Sequence, residues 1–113
     1  MFILDKGDIV SLHFDPSAGK EIMKRRPAYV ISQKIFNEHT GFAVVAPITS
    51  TVREMQLEVV LPDSLSTEGA ILMHQMKSLD FENREIEFIE KAPAKIVGKA
   101  TSCLLYTSDA ADE

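Results

Sequence analysis

Alternating apolar and polar positions predict a half-buried strand near the start of the chain. Over residues 9–14, an apolar side chain recurs at every second position, which places these side chains on one face of a strand. Residues 15–19 contain aspartate, proline, serine and glycine, which are typical of a turn, so the chain is expected to leave the sheet there. A long polar loop is predicted to follow over residues 17–26.

Two further apolar segments predict strands in the first half of the chain. Residues 28–32 follow Pro27, which suits the entrance of a strand because its missing N–H costs least there. Residues 42–46 are nearly all apolar, as expected of a strand that is buried on both faces, and Pro47 is expected to end its regular pairing. Between these segments, residues 35–41 predict either a turn or a short helical turn that ends at a glycine.

The second half of the chain predicts shorter strands and one helix. Residues 57–61 and 70–78 have strand patterns, and residues 86–89 form a weaker, optional strand. Pro93 then suits the first turn of a helix that starts at about residue 92. Apolar residues at helical spacing give this helix one apolar face, formed by Ile96, Val97, Ala100 and Leu104.

These elements predict a small, mainly β (α+β) fold, with a twisted or barrel-like sheet closed by a C-terminal helix. There are no internal repeats and no linker, so residues 1–105 are expected to form one domain. Residues 106–113 lack an apolar face, and we interpret them as a non-native or disordered tail that is left out of functional reasoning.

Composition narrows the class of protein. The chain has 113 residues, of which 45% are hydrophobic, enough for a single small core. No run of about 18 apolar residues is present, so no membrane span or membrane partner is expected. A single cysteine, Cys103, excludes an internal disulfide and fits a reducing, cytoplasmic compartment. Because Cys103 lies in an apolar helical pattern, we interpret it as a packing residue rather than a nucleophile.

Charge is distributed unevenly along the chain. The net charge of −5 argues against indiscriminate binding of long nucleic acid. Residues 20–26, however, contain one acid and four bases, a local patch that could bind a few phosphates, although an ordinary solvated loop would have the same composition. The residues concerned are Lys20, Glu21, Lys24, Arg25 and Arg26.

Several kinds of chemistry lack the residues that they need. The three histidines show no metal-ligand spacing, and no second cysteine is present for a zinc site. The sequence also lacks a glycine-rich phosphate loop and a G-x-S-x-G nucleophile motif. We therefore expect neither a metal nor a cofactor, and chemistry that depends on hydrogen bonds and fixed charge.

The order and spacing of several short motifs resemble the MazF/PemK/Kid family of bacterial ribonuclease toxins. The motifs are G-D-I-V from Gly7, F-D-P from Phe14, G-K-E from Gly19, R-P-A-Y-V-I-S from Arg26 and A-P-I-T from Ala46. The resemblance extends from about Lys6 to about Phe81. It implies an SH3-like barrel of the CcdB/MazF type with short helices and a C-terminal helix, paired as a homodimer.

RNA can be cleaved by its own 2′-OH when a protein supplies a base, an acid and cationic donors for the phosphorane. Arg26 is a candidate donor because its guanidinium can bind two phosphate oxygens at once. Thr49 follows a proline at a strand end, where its hydroxyl can face a ligand. The resemblance implies that Arg26 and Thr49 carry cleavage, with Thr49 positioning the phosphate. Glu21 is the third catalytic candidate: it could accept a proton, hold Arg26 in place, or simply be an exposed acid.

The remaining candidates would bind RNA. Some relatives have a histidine at the position of Lys20, and a lysine with a pKa near ~10.4 is better suited to binding phosphate than to proton transfer. His74 departs from the family pattern, which has an acid or amide there. It could read or stack on a base, shuttle a proton, or be structural. The other candidates are Gln75 for a base, Lys77 for the RNA backbone, and Lys24, Arg25, Ser50 and Thr51.

Resemblance thus implies a toxin of a toxin–antitoxin pair. We expect a metal-independent endoribonuclease that cuts single-stranded mRNA and leaves a 2′,3′-cyclic phosphate and a 5′-OH. Its antitoxin would cover the basic loop with an acidic, disordered C-terminal tail that folds on binding, and the pair would bind DNA together. Two alternatives stay open. One is a non-catalytic, CcdB-like toxin that binds gyrase through its C-terminal helix; the other is a small SH3-like interaction module.

Overall fold

A computed structural model describes residues 3–13, 25–52 and 57–111 of the chain. The described residues form seven β-strands, two α-helices and two short 3₁₀ turns. The strands are β1 (Asp8–Leu12), β2 (Arg26–Val30), β3 (Phe42–Thr49), β4 (Glu58–Val60), β5 (Ala70–Leu72), β6 (Lys77–Asp80) and β7 (Glu87–Lys91). The helices are α1 (Lys34–Thr40) and α2 (Ala94–Ala111), and the 3₁₀ turns are Met73–Gln75 and Phe81–Asn83.

All strand pairs are antiparallel, in the order β4-β5-β3-β2-β1-β7, with β6 pairing the first half of β3. This confirms a mainly β fold with helices. The sheet is not a closed barrel, because among the described strands β4 and β7 remain at the two ends of the path. A side chain links these ends instead: the Glu90 carboxylate on β7 accepts the N–H groups of Ser66 and Thr67, in the loop after β4.

The sequence prediction for β3 was wrong at Pro47, since the strand continues to Thr49. Ile31 donates its N–H to Val44 O, and β2 and β3 pair with Pro47 opposite Ala28. In this alternating pattern the nitrogen of Pro47 faces away from β2. It faces the edge of β3 where β6 has ended and β5 has not yet begun. No ladder hydrogen bond is required there, so the proline is tolerated.

The strand predicted over residues 70–78 is in fact two strands separated by a 3₁₀ turn. Both β5 and β6 pair the same edge of β3, with Ile71 opposite Ile48 and Lys77 opposite Val45. Five residues lie between Ile71 and Lys77, whereas only two lie between Val45 and Ile48 on β3, so the β5–β6 segment has three residues in excess. The turn Met73–Gln75 takes up these three residues, which is a tertiary requirement that strand periodicity does not reveal.

Both helices form where the sequence predicted helical structure. The segment after β2 is the helix α1, which ends at Gly41 with a φ of 76°, a left-handed conformation that favours glycine. Before α2, the Pro93 carbonyl accepts the N–H groups of Ile96 and Val97. The backbone of α2 continues past residue 105 to Ala111. Neither helix of the described chain is long and apolar enough to cross a bilayer.

The sheet packs on both faces. One core cluster lies between the sheet and α2, and the other lies on the opposite face. The α2-side cluster contains Ile9, Tyr29, Ala46, Ile48, Val59, Leu61, Ile71, Met73, Ala92, Ile96 and Ala100. The opposite cluster contains Leu4, Val10, Leu12, Ala28, Val30, Ala43, Val45, Leu79 and Phe81. Consecutive residues of β2 and β3 alternate between these clusters, as period-two strand geometry requires.

A buried polar network fixes the start of β3. The Asn37 amide, which is fully buried, donates to Leu4 O at 2.8 Å and to Ser32 O at 3.3 Å. Its Oδ1 accepts the Ser32 hydroxyl at 2.6 Å, and that hydroxyl accepts the Val44 N–H at 2.8 Å. We call these residues, Leu4, Ser32, Asn37 and Val44, the Asn37 network. Its satisfied donors and acceptors join the N-terminal segment, α1 and β3.

Candidate functional site

The two principal candidates lie at one end of the sheet, on adjacent strands. Arg26 is the first residue of β2, and Thr49 is the last residue of β3. These strands pair with Ala28 opposite Pro47. The pairing ends there, two residues short of Arg26 on β2 and of Thr49 on β3. By strand alternation both positions belong to the same face as Ala28 and Pro47, at this one end of the sheet.

Arg26 and Thr49 differ in how they are held. Arg26 is exposed, and no other described residue makes a hydrogen bond or an ion pair with its guanidinium. Thr49 is half-buried, and its Oγ1 accepts the Thr51 N–H at 3.2 Å. Its hydroxyl hydrogen remains available to donate. A guanidinium fork and a hydroxyl donor thus lie at the same end of two adjacent strands, and both are groups suited to an anion such as a phosphodiester.

Gly69 supports the Thr49 backbone from the neighbouring segment. A Cβ atom at Gly69 would lie 1.9 Å from Thr49 O, and the residue has a φ of 119°. Both observations require glycine at this position. Ser50 and Thr51 continue outward from Thr49 and are exposed.

His74, Gln75 and Lys77 lie on the other side of β3 from β2. His74 and Gln75 are exposed on the 3₁₀ turn, with His74 Nε2 and Gln75 Nε2 3.4 Å apart. Lys77 is exposed at the start of β6, opposite Val45. Thr49 lies four positions further along β3 than Val45, about 13 Å along a strand. These side chains therefore form a flank of the Arg26–Thr49 position rather than part of it.

Arg25 is held by the protein itself. Its Nη2 donates to Ser11 O at 3.0 Å and to Glu85 O, and its Nε donates to Ser11 Oγ at 3.2 Å. Carboxylate oxygens of Glu85 and Glu87 lie 3.9 and 3.8 Å from the guanidinium, and His13 Nε2 lies 3.5 Å from Nη1. We call Ser11, His13, Arg25, Glu85 and Glu87 the Arg25 corner.

The remaining predicted site residues, Lys20, Glu21 and Lys24, lie outside the described residues. The chain positions that flank them, His13 and Arg25, are both in the Arg25 corner. In the part of the chain that the structure describes, no group of three His, Cys, Asp or Glu side chains is arranged to hold a metal ion.

Two titratable side chains on the α2 side are unsuited to proton transfer near neutral pH. Burial raises the pKa of Tyr29 to about 12. Burial also raises the pKa of the Cys103 thiol, which packs against the α2-side core. Cys103 is thus placed as a packing residue, as its helical pattern predicted.

Sequence reasoning missed two features of the site. Gly69 was not singled out, although a glycine just before an apolar strand is a recognisable signal for a close backbone approach. The roles of Ser11, Glu85 and Glu87 could not be found from the sequence. They meet Arg25 only because β7 pairs with β1 at the same end of the sheet.

Comparison with known proteins identifies a family. Residues 5–107 match the family model described as PemK-like, MazF-like toxin of type II toxin–antitoxin system. The chain is 34% identical over 83 residues to the endoribonuclease toxin MazF of Escherichia coli strain K12, covering 74% of each protein.

Solved structures agree. The crystal structure of MazF (form I) from Deinococcus radiodurans matches with a TM-score of 0.82 and 36% identity, over 92% of this chain and 94% of that one. A MazE–MazF structure (form II) from the same organism matches with a TM-score of 0.81 and 32% identity, over 92% of this chain and 93% of that one.

Proposed function

Because this chain belongs to the family of PemK-like and MazF-like toxins of type II toxin–antitoxin systems, we propose that it is an endoribonuclease that cleaves single-stranded mRNA without a metal ion. The observation that carries the proposal is that Arg26 at the start of β2 and Thr49 at the end of β3 lie at the same end of two adjacent antiparallel strands. Their side chains are the type of donor that a charged phosphorane requires.

In the proposed reaction, the 2′ oxygen of one nucleotide attacks the adjacent phosphorus while the bond from phosphorus to the 5′ oxygen breaks. The 2′ proton passes to a base, and the leaving 5′ oxygen takes a proton from an acid. The products are a 2′,3′-cyclic phosphate and a 5′-OH. The Arg26 fork binds the non-bridging oxygens, and the Thr49 hydroxyl positions the phosphate. Glu21 accepts the 2′ proton or orients Arg26.

The proposed RNA path runs from the Thr49 end of β3 to the exposed 3₁₀ turn Met73–Gln75 and the start of β6. Lys20 and Lys24 bind phosphates next to the cleaved linkage, and Ser50 and Thr51 contact the same nucleotides. His74 and Gln75 contact a base, and Lys77 binds the backbone. What supports this path is the exposure of the described members on either side of Thr49.

We further propose a cognate antitoxin and a homodimer. MazF of Deinococcus radiodurans has been crystallised with MazE, and this chain is 32% identical to that MazF. We propose that an antitoxin of this chain lays an acidic tail over Arg26 and the basic loop, which would block access to RNA. Family membership supports the homodimer, and analytical ultracentrifugation of the purified chain tests it.

The decisive experiment digests RNA oligonucleotides in the presence of EDTA and identifies the new ends. We expect 2′,3′-cyclic phosphate and 5′-OH ends, and a single 2′-O-methyl group at the cleaved linkage should abolish cutting there. Arg26→Ala should cleave about 10²- to 10³-fold more slowly than the wild type. Lys99→Ala, which removes an exposed cation from α2, should cleave like the wild type. Cutting of the methylated linkage at an unchanged rate would refute the mechanism, and an absence of cleavage by the wild type would favour a binding protein.

A further inference from the structure

We infer that Arg25 is a positioning residue that orients Arg26 through protein contacts, rather than a residue that binds RNA. The inference rests on the proposed function, because it concerns the rate of the same cleavage. It assigns different roles to two adjacent arginines that the sequence alone places in one basic patch.

The contacts of Arg25 show that its donors are already engaged. The guanidinium donates to two atoms of Ser11 on β1 and to the carbonyl of Glu85 in the turn before β7. It also lies within 4 Å of carboxylates of Glu85 and Glu87. Only 27% of the Arg25 side chain is exposed, against 82% and 74% for these two glutamates. One side chain therefore joins three segments of the chain immediately before β2.

Strand alternation separates the two arginines. Ser11 pairs with both Pro27 and Glu87, so these positions share one face of the sheet. Arg25 precedes Pro27 by two residues and lies on that face. Arg26 pairs with Leu12 and lies on the other face, with Thr49. Fixing Arg25 on one side consequently fixes the direction in which Arg26 leaves the other side.

The turn before β7 has an unusual backbone conformation, and its carbonyl is a hydrogen-bond acceptor for Arg25. Glu85 has a φ of 49°, and it is the one non-glycine residue of the described chain with a positive φ. Such a conformation is strained for a residue with a Cβ atom. In this conformation the Glu85 carbonyl accepts a hydrogen bond from the Arg25 guanidinium. A strained turn that supplies an acceptor is expected where a side chain must be held in one orientation.

Cleavage kinetics of full-length variants test the inference. Arg25→Gln and Arg25→Lys should both lower kcat about 10- to 100-fold with little change in KM, because a displaced donor loses transition-state contact. Lysine at position 25 should not restore kcat, since its ammonium group cannot make the hydrogen bonds that the planar guanidinium makes to Ser11 and Glu85. The dependence of log KM on log salt should keep the wild-type slope, because no phosphate contact is lost.

Two controls separate positioning from simple loss of stability. Lys91→Gln removes another cation that joins two segments, with Nζ bonded to Lys6 O and Asp8 Oδ1 at 3.1 and 2.8 Å. It should lower Tm yet keep the wild-type kcat at a temperature where the protein is folded. Lys99→Ala removes an exposed cation from α2, outside the Arg25 corner, so it should keep both Tm and kcat.

Two results would overturn the inference. One is a wild-type kcat for Arg25→Gln. The other combines two observations. Arg25→Gln raises KM and lowers the slope of log KM against log salt by about 0.7, which indicates one lost phosphate contact, and Arg25→Lys restores the wild-type KM. Failure of the proposed function is distinguishable, because wild-type protein would then produce no cyclic-phosphate ends and Arg26→Ala would change nothing.

Discussion

The two ends of β3 use polar residues in opposite ways. At the Phe42 end, the Asn37 network is buried, and the Asn37 side chain makes three hydrogen bonds to protein atoms. At the Thr49 end, Arg26 is exposed and has no partner among the residues that the structure describes. The strand between them is one continuous element of eight residues.

This contrast separates stability from recognition within one strand. A buried amide must be satisfied by protein groups, because leaving it unsatisfied costs about 1–3 kcal/mol. An exposed guanidinium carries no such penalty, and its donors stay available for an anionic ligand. The Arg25 corner is intermediate: its arginine is satisfied by the protein yet lies next to the exposed one. We therefore expect substitutions at the two ends to change different measurable quantities.

The largest effect is expected from Arg26→Ala. Loss of a well-placed donor to the transition state should reduce kcat by about 10²- to 10³-fold. Because the side chain is exposed, Tm should stay close to the wild-type value. Single-turnover cleavage of a fluorescent oligonucleotide and thermal unfolding measure the two quantities. A large fall in Tm with unchanged cleavage would show that Arg26 contributes to stability rather than to recognition.

Gly69→Ala should disturb the Thr49 end through the backbone. The added Cβ atom would lie 1.9 Å from Thr49 O at a φ of 119°, so we expect a stability loss of about 3 kcal/mol or more. Cleavage should fall even in the folded fraction, because Thr49 must shift. Gly41→Ala is the matched control. It has a positive φ but nothing within 4 Å of the added Cβ atom. It should cost only about 1–2 kcal/mol and leave cleavage unchanged.

Asn37→Ala should act on stability alone. It leaves the carbonyls of Leu4 and Ser32 without their amide donor, and we expect a loss of about 2–3 kcal/mol in the free energy of unfolding. Urea unfolding measures this change, with Glu38→Ala on the exposed side of α1 as the control. Cleavage per folded molecule should match the wild type. A specific loss of kcat here would show that the two ends of β3 are coupled.

The smallest effect is expected at Glu90. Burial opposes the ionisation of Glu90, but hydrogen bonds from Ser66 N–H and from the Thr67 hydroxyl and N–H together outweigh burial and lower its pKa from the ordinary value. The lowered pKa contributes fully to the stability of the fold at a pH above the pKa that Glu90 has in the unfolded chain. This contribution is lost as the pH falls through the lower pKa of the folded state. In Glu90→Gln, unfolding free energy should therefore decline less steeply below about pH 5 than in the wild type. Glu82→Gln is the control, and an unchanged slope in Glu90→Gln would contradict the prediction.

Particular elements show where sequence reasoning succeeded. Period-two alternation located β1, an apolar segment after Pro27 located β2, and helical spacing located α2, because these patterns depend only on local backbone geometry. The strand predictions were wrong at Pro47 and in the segment after Ala70. In both places β3 changes partner, from β6 to β5, and no local pattern records which strand lies beside another. The same limit explains why Glu85 and Glu87 were not linked to Arg25.

By itself the sequence determined the residue types at the site, the strand beginnings and ends that carry them, and the motifs shared with a toxin family. It could do so because propensity and motif spacing are properties of short segments. Only the tertiary structure decided that positions 26 and 49 lie at the same end of adjacent strands and that the Arg25 side chain contacts β1 and the turn before β7. Those outcomes depend on strand register and on pairing between distant segments, which are fixed when the whole sheet forms.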